Sequence, residues 1–400
     1  MAVRCRIPTC RGSDAMTDRE MTSAERDLAA ALADAAASGT RLSIAGGGSK
    51  AGVGRVVDGP VLSTAALQGI VDYDPAELVL TVQAGTPLSD IEALVAAEGQ
   101  MLAFEPFDHG PIFGVAPGKA TIGGVAAAGV SGSRRVSAGA ARDHMLGLRA
   151  ISGRGELFVA GARVVKNVTG YDLPKLAAGS WGRLFAITEL TLKVLPRPQS
   201  SETCVLENLD AASAVRAMAA AMGSRAEIGA AAHRPPAPGQ PALTAFRIEG
   251  FPPSVAARKD LLRSVLQPFG PMDLLDAPTA DGFWDDLRTL RPLGQALPIW
   301  RINVPPASGS AVVDALVPDD EGRWLMDWAG GLVWLAHDGD ADRVRECAAN
   351  LGGHAMLLRA PEALRAGIPA FHPPAPGLAA LETRVRRAFD PLGLFETGRF

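Results

Sequence analysis

The sequence predicts an α+β protein: a sheet-rich first domain, a smaller α/β second domain and a closing C-terminal helix with its tail. Three observations carry this. Short β-type runs separated by glycine-dense loops fill residues 41–196. The segment "RLFAITELTLKVLP" (183–196) is the strongest strand signal in the chain, and Pro196 and Pro198 end it and mark a boundary. Beyond them the texture changes to helices alternating with strands up to about residue 360. The division that follows is a disordered tail or misassigned start over 1–20 (Met16 or Met21 being alternative starts), domains over 21–198 and 199–365, and a C-terminal segment over 366–400.

Thr22 through Ala37 reads as a helix stopped by Gly39. "RLSIA" (41–45) is a short strand that runs into the loop "GGGSKAGVG" (46–54). "PVLST", "GIVDYD" and "LVLTVQAG" are strands, and "PLSDIEALVAAEG" (87–99) is a helix with Pro87 near its first turn. Residues 110–142 are glycine-dense without clear periodicity. Strands return over 147–165, where Arg154-Gly155 makes a hairpin turn. In the second half "LTAFRIEG" is a strand, "PSVAARKDLLRSVL" a helix, and a last helix covers about 377–389.

A net charge of −4 gives no basic field for nucleic acid. The four cysteines (Cys5, Cys10, Cys204, Cys347) are scattered, with no metal or disulfide spacing, which fits a reducing cytoplasm and no metal site. No run reaches the roughly 18 apolar residues that cross a bilayer, and the arginine-bearing first twenty residues lack the apolar core of a secretory signal.

The loop at 46–54 nearly fits two phosphate-binding patterns. A P-loop needs its lysine and hydroxyl to open a helix, and here Lys50 follows Gly48-Ser49 in the wrong order. A dinucleotide fingerprint over Gly46, Gly48 and Ala51 also needs a helix directly behind it, which Gly52, Gly54 and Pro60 forbid. What survives is a turn whose successive N–H groups form an anion nest without its own helix; the plain alternative is a glycine turn without ligand. Two further glycine segments, 117–135 and 163–182, make a large phosphate-bearing cofactor along the sheet edge the better reading.

The order of these blocks ("ATIGG", "ARDHMLGLRAISGRGE", "KNVTGYDLPKLAAGSWG") resembles the FAD-binding domain of the vanillyl-alcohol oxidase / p-cresol methylhydroxylase (PCMH) superfamily. With "PIWRINVP", "LMDWAGG", "GGHAMLLRAP" and "FDPLGLFETGR", the chain from about residue 25 onward is similar to the family of FAD-binding E subunits of glycolate oxidase. The resemblance implies a PCMH-type domain of two α+β subdomains, a cap-like α/β domain, and a C-terminal segment returning to the FAD domain. It implies FAD held by Gly46, Gly47, Gly48, Ser49, Lys50, Thr121, Gly123, Gly124, Asp143, Lys166, Asn167, Gly170, Tyr171, Asp172 and Ile187. The FAD should be non-covalent, because no histidine precedes His109. Only six of the 39 basic residues are lysines, and Lys50, Lys119, Lys166 and Lys175 all fall in these blocks, where an ammonium beside a phosphate is one reading and a hydrated surface lysine the other. Trp181, Arg183 and Phe185 depart from the "GSEGTLGIIT" of related 2-hydroxy-acid dehydrogenases and change the wall near the flavin.

The resemblance further implies oxidation of glycolate, and of D-lactate, to the 2-oxo acid, beside a second FAD-containing subunit and an iron–sulfur subunit, in the cytoplasm or peripherally on the inner face of the plasma membrane. Such chemistry needs a cation for the carboxylate and a base or metal for the hydroxyl proton. The paired histidines of related catalytic subunits have no counterpart here, since His337, His354 and His372 stand alone. Arg301 and Arg359 are candidate carboxylate holders, with strand-edge ion pairing as the alternative, and His144 is a packing or flavin-environment residue before it is a base. Trp324, Trp328 and Trp334 at strand spacing read as core before subunit interface. A stand-alone FAD hydroxy-acid or alcohol oxidoreductase and a non-catalytic scaffold with the flavin fold stay open as alternatives.

Overall fold

The computed structural model describes residues 19–161, 171–317 and 323–400. The first helix, α1 (Ser23–Ser38), starts and stops where its sequence dictates. Thr22 accepts from the Glu25 amide while the Glu25 carboxylate accepts from Thr22 N, and Gly39 closes the helix at φ 67°. That same Glu25 is buried at 1% exposure and takes bonds from Arg149 Nε (3.3 Å) and Thr188 Oγ1 (2.9 Å). Burial pushes its carboxyl up, but the Thr22 amide and then Arg149 and Thr188 outweigh this and hold it below its ordinary value. Helix capping and docking onto the sheet thus rest on one side chain.

β1 (Ser43–Ala45) and β2 (Val61–Ser63) pair in parallel, with the glycine loop between them. β3 (Ile70–Asp74) and β4 (Val79–Gln83) lead to α2 (Leu88–Ala97), which Pro87 precedes, and on to β5 (Gln100–Met101). The glycine-dense stretch contains an element that its composition hides: α3 (Ile122–Ala128), capped by the Thr121 side chain and stopped by Gly129 at φ 64°. Then follow β6 (Met145–Ser152), β7 (Leu157–Gly161), β8 (Phe185–Lys193) and β9 (Leu195–Pro196). An antiparallel sheet in the order β3-β4-β8-β6-β7 carries the core of this half, with Ile91, Val95, Ile122 and Val125 from α2 and α3 packed among Leu80, Leu148 and Leu190.

The second half provides β10 (Ser200–Glu207), β11 (Ala230–Arg234), β12 (Leu243–Gly250), β13 (Asp273–Leu274), β14 (Ile299–Asn303), β15 (Arg323–Asp327), β16 (Leu332–Ala336) and β17 (His354–Arg359). They form one antiparallel sheet in the order β13-β10-β12-β11-β15-β16-β14-β17. One face packs under helices such as Ala211–Met222 and Ala341–Asn350. The other carries Trp284, Trp328 and Trp334 and packs against Val53 and Ile112 of the first half, so the tryptophans are core. The C-terminal helix Pro376–Phe389 returns to the first sheet, where Phe389 meets the rings of Phe158 and Phe185 at 5.8 and 5.0 Å.

The two halves meet through buried charge. Glu105 pairs with Arg134 (3.3 Å) and Arg247 (2.9 Å), and both arginines also reach Glu249. Beside them Asp327 is 3% exposed, accepting from Ser133 Oγ (2.8 Å) and the Trp328 amide (2.7 Å). Burial raises its carboxyl from 3.8 to about 7 despite these two bonds. A folded value above the unfolded one means that the ionised form is penalised, so this residue erodes stability as pH rises from about 4 to about 7, and no further above that. Asp327→Asn is therefore expected to gain on the parent chain across that window, by on the order of a few kcal/mol. Urea unfolding at a series of pH values measures it, and a difference that does not change with pH would contradict it.

Candidate functional site

Between the β1–β2 layer and the five-stranded sheet lies a cleft of about 990 Å³, counted out to its open mouth. Its floor is the loop Gly46–Ala51 and its opposite wall the start of α3. Among the described residues the amides of Gly46, Gly47, Gly48, Ser49 and Lys50 donate to no protein acceptor, although neighbouring Ala51 and Val53 bond back to Gly48 O and Lys50 O. Successive amides without acceptors suit an anion.

The glycines are there because the loop lies directly on the next segment. A Cβ on Gly46 would overlap the Thr121 hydroxyl, and one on Gly47 would overlap the Lys119 carbonyl. That segment is buckled by Asp108, whose carboxylate accepts from the amides of Gly110, Gly118, Lys119 and Ala120 at 2.8–3.2 Å. Gly124 faces the cleft, with only the Thr121 hydroxyl within reach of an added Cβ, whereas a Cβ on Gly123 would strike Ala84 of the strand behind. Gly123 thus serves the packing of α3 on the sheet.

The C-terminal tail supplies a wall that sequence reasoning missed. Arg399 donates to Lys50 O (2.9 Å), Ala51 O (3.1 Å) and Val53 O (2.9 Å), clamping the loop's carbonyl side so that its amides turn the other way. Phe395, Thr397 and Phe400 also line the cleft. Trp181, Arg183 and Phe185 line it too; Trp181 sits at φ 55° against Phe371 and Phe400, and Arg183 pairs with Glu382 at 2.8 Å.

The structure brings Gly46, Gly47, Gly48, Ser49, Lys50, Thr121, Gly123, Gly124 and Ile187 to this one cleft. It does not bring Asp143, Tyr171 or Asp172 there. Asp143 lies in a separate shallow groove with Arg135 and Arg142, bonded to Ala140 N. Tyr171 is 91% exposed, and Asp172 caps the short helix Leu173–Ala177 and pairs with Lys175. Lys166, Asn167 and Gly170 lie outside the described residues, as do positions 1–18 of the expected tail. Among the described lysines the pattern reduces to Lys50 at the cleft, since Lys119 is exposed and Lys175 is held on the surface by Asp172.

His144 is buried against Phe104 and donates from Nε2 to Ala138 O, a packing role. Arg359 is committed to the structure. Its guanidinium donates to Ile112 O, Gln295 Oε1, Gly294 O and Leu297 O, which takes it out of the carboxylate-holding role. Arg301 makes no ion pair or hydrogen bond among the described residues and lies near the rings of Trp328 and Trp334. His109, not singled out from sequence, is buried and stacked on Phe107 at 4.8 Å. Burial, and then the Lys50 charge, lowers it well below its ordinary value, so it is a neutral imidazole that feels the charges of the loop lysine and Arg301.

Burial brings the Lys50 ammonium down to about 8, with the Asp108 carboxylate acting against it. A bound phosphate raises that value again, so anion affinity should be full below pH 8 and fall above it, by at most about tenfold per pH unit. Lys50→Met should be weaker at pH 7 and flat across the same range. Cofactor affinity measured from pH 6 to 10 checks both statements.

Comparison with known proteins agrees with the cleft. The family described as "FAD binding domain" matches residues 22–161. Glycolate oxidase subunit GlcE of Escherichia coli (strain K12) is 36% identical over 369 residues, covering 90% of this chain and 92% of the relative. D-lactate dehydrogenase of Anaerostipes hadrus is 36% identical over 175 residues, which is 43% of this chain and 34% of that enzyme. Among solved structures, alkyldihydroxyacetonephosphate synthase superposes with a TM-score of 0.64 over 92% of this chain and 74% of its own, at 15% identity, a likeness of fold alone.

Proposed function

Because the chain belongs to the family of glycolate oxidase subunit GlcE and carries its FAD-binding domain, we propose that it is the FAD-bearing subunit of a glycolate-oxidising complex. One observation carries this: a loop of five acceptor-less amides and one half-buried lysine, pinned by Arg399 and opposed by Thr121. In this reading Gly46, Gly47, Gly48, Ser49 and Lys50 hold the cofactor's pyrophosphate, while Thr121, Gly124 and Ile187 line the rest of its path. Bound FAD supplies a two-electron acceptor for a 2-hydroxy acid. The protein's share is to hold phosphate on backbone amides, to keep water from the cleft with Trp181, Phe395 and Phe400, and to hold His109 neutral beside the loop.

Residues 21–198 and 366–400 form the flavin-binding unit in this proposal, with 199–365 as its cap. Partners are a second flavin subunit and an iron–sulfur subunit that takes the electrons onward; the support is that the relative covering the chain end to end is itself a subunit of glycolate oxidase. No helix among the described residues is long and apolar enough to cross a membrane, so attachment to a membrane surface is proposed through the complex. The test is a purified chain assayed for acid-releasable FAD, then used to capture partners that are assayed for flavin and iron. Stoichiometric FAD and an iron-containing partner are expected. A colourless chain that cannot be reconstituted overturns the reading.

A further inference from the structure

A second place where charge collects without a partner is the junction between the eight-stranded sheet and residues 132–135. The guanidinium of Arg135 lies 4.0 Å from the centre of the Trp328 ring, and that of Arg301, from β14, lies 5.2 Å from the same ring. Among the described residues neither side chain makes an ion pair or a hydrogen bond. Acceptors are not scarce nearby: Arg134 and Arg247 hold Glu105 and Glu249, and Arg359 is bonded to four oxygens. The fold satisfies those arginines and leaves this pair open.

The ring that both approach is fixed. Trp328 Nε1 donates to Gly132 O (3.0 Å), its amide is held by Asp327, and Trp328 and Ala329 both adopt the left-handed region (φ 53° and 56°). Two successive non-glycine residues there are costly and persist where the surroundings enforce them. Like charges brought together oppose each other; burial, and then Arg135, bring Arg301 down to about 10. An anion within reach of both guanidiniums relieves this. His109 feels the charge of Arg301 as well as that of Lys50.

We propose that Arg135 and Arg301, set on the Trp328 ring, are the seat for the carboxylate of this chain's own 2-hydroxy-acid substrate. Naming the ligand a 2-hydroxy acid rests on the function proposed above; the seat for a carboxylate rests on the two guanidiniums. A planar guanidinium offers paired N–H donors to a carboxylate, and stacking on an indole keeps those donor edges free. Two such forks favour a carboxylate over an uncharged alcohol and give this chain a substrate site without a partner subunit.

The probe is oxalate, a redox-inert dicarboxylate, titrated calorimetrically into the full chain purified with its FAD; ethylene glycol, with hydroxyls and no carboxylate, is the control. Oxalate should bind and ethylene glycol should not. R135Q and R301Q should each weaken oxalate at least tenfold, R135K and R301K less, with the FAD-to-protein ratio and Tm unchanged. Failure of oxalate to bind the parent, or equal binding by the R135Q/R301Q double variant, overturns the seat. A chain that carries no FAD overturns the preceding functional reading instead, and the same titration of the flavin-free chain still decides the seat.

Discussion

Replacing Gly47 by alanine should yield a folded chain that has lost its flavin, the FAD-to-protein ratio dropping from near one to below about a tenth. A methyl at this position overlaps the backbone carbonyl of Lys119, and that carbonyl cannot retreat, because the amides of Lys119 and Ala120 are tied to Asp108. The loop must lift away instead, and its amides no longer converge on one anion. A hundredfold loss of affinity corresponds to about 2.7 kcal/mol, comparable to losing two or three hydrogen bonds to a charged group. Gly48→Ala is the control. It adopts φ 81° but has nothing within 4 Å of an added Cβ, so it should cost only about 1 kcal/mol of backbone strain and keep most of the flavin. Flavin absorbance after gel filtration reads both, and full retention by Gly47→Ala would remove the loop from the cofactor site.

The largest stability effect is expected at Glu25. Removing its carboxylate strips one half of the capping box of α1 (the acceptor of Thr22 N), the acceptor from Thr188 and a counter-charge from beside Arg149, which is 1% exposed. Breaking a buried ion pair on one side costs about 3–5 kcal/mol. Glu189, which also feels the Arg149 charge, places Glu25→Ala at the lower end of that range. A fall of roughly 10 °C in Tm follows for a unit of this size. Glu25→Gln keeps one acceptor oxygen, which serves Thr22 N or Thr188 Oγ1, and should recover part of the loss; if the alanine variant melts with the parent, the network is only decoration.

What the sequence made legible were features with local causes. Thr22, Glu25 and Gly39 delimit α1 by capping chemistry, Pro87 precedes α2, and the apolar run of β8 is buried along its length. The glycine loop was readable as an anion nest because an amide cradle needs missing side chains, and missing side chains show in a sequence. α3 was not readable: "IGGVAAA" carries two glycines and becomes helical through the Thr121 cap and bonds from Ile122 N and Gly123 N to Thr86 O and Ala84 O across the sheet edge. Arg301 was legible as a cation, whereas Arg135, His109 and Arg399 acquire their roles only from neighbours far along the chain, and Asp108 from the way the loop of residues 110–120 folds back on it. Tyr171 looked like a cofactor residue by its motif, but the fold leaves its ring exposed.

The Arg399 clamp has a consequence for the order of events in the cell. It joins residues 349 positions apart, so the cleft is incomplete until the ribosome has made the chain as far as residue 400. The cofactor then finds its complete cleft only after both large sheets have been made, rather than guiding early folding. Because the cleft needs the Arg399 clamp on the folded loop, every increment of cofactor affinity stabilises the whole fold by mass action. Limited proteolysis within the last thirty residues should accordingly release flavin before it disturbs either large sheet, and added FAD should slow that cleavage.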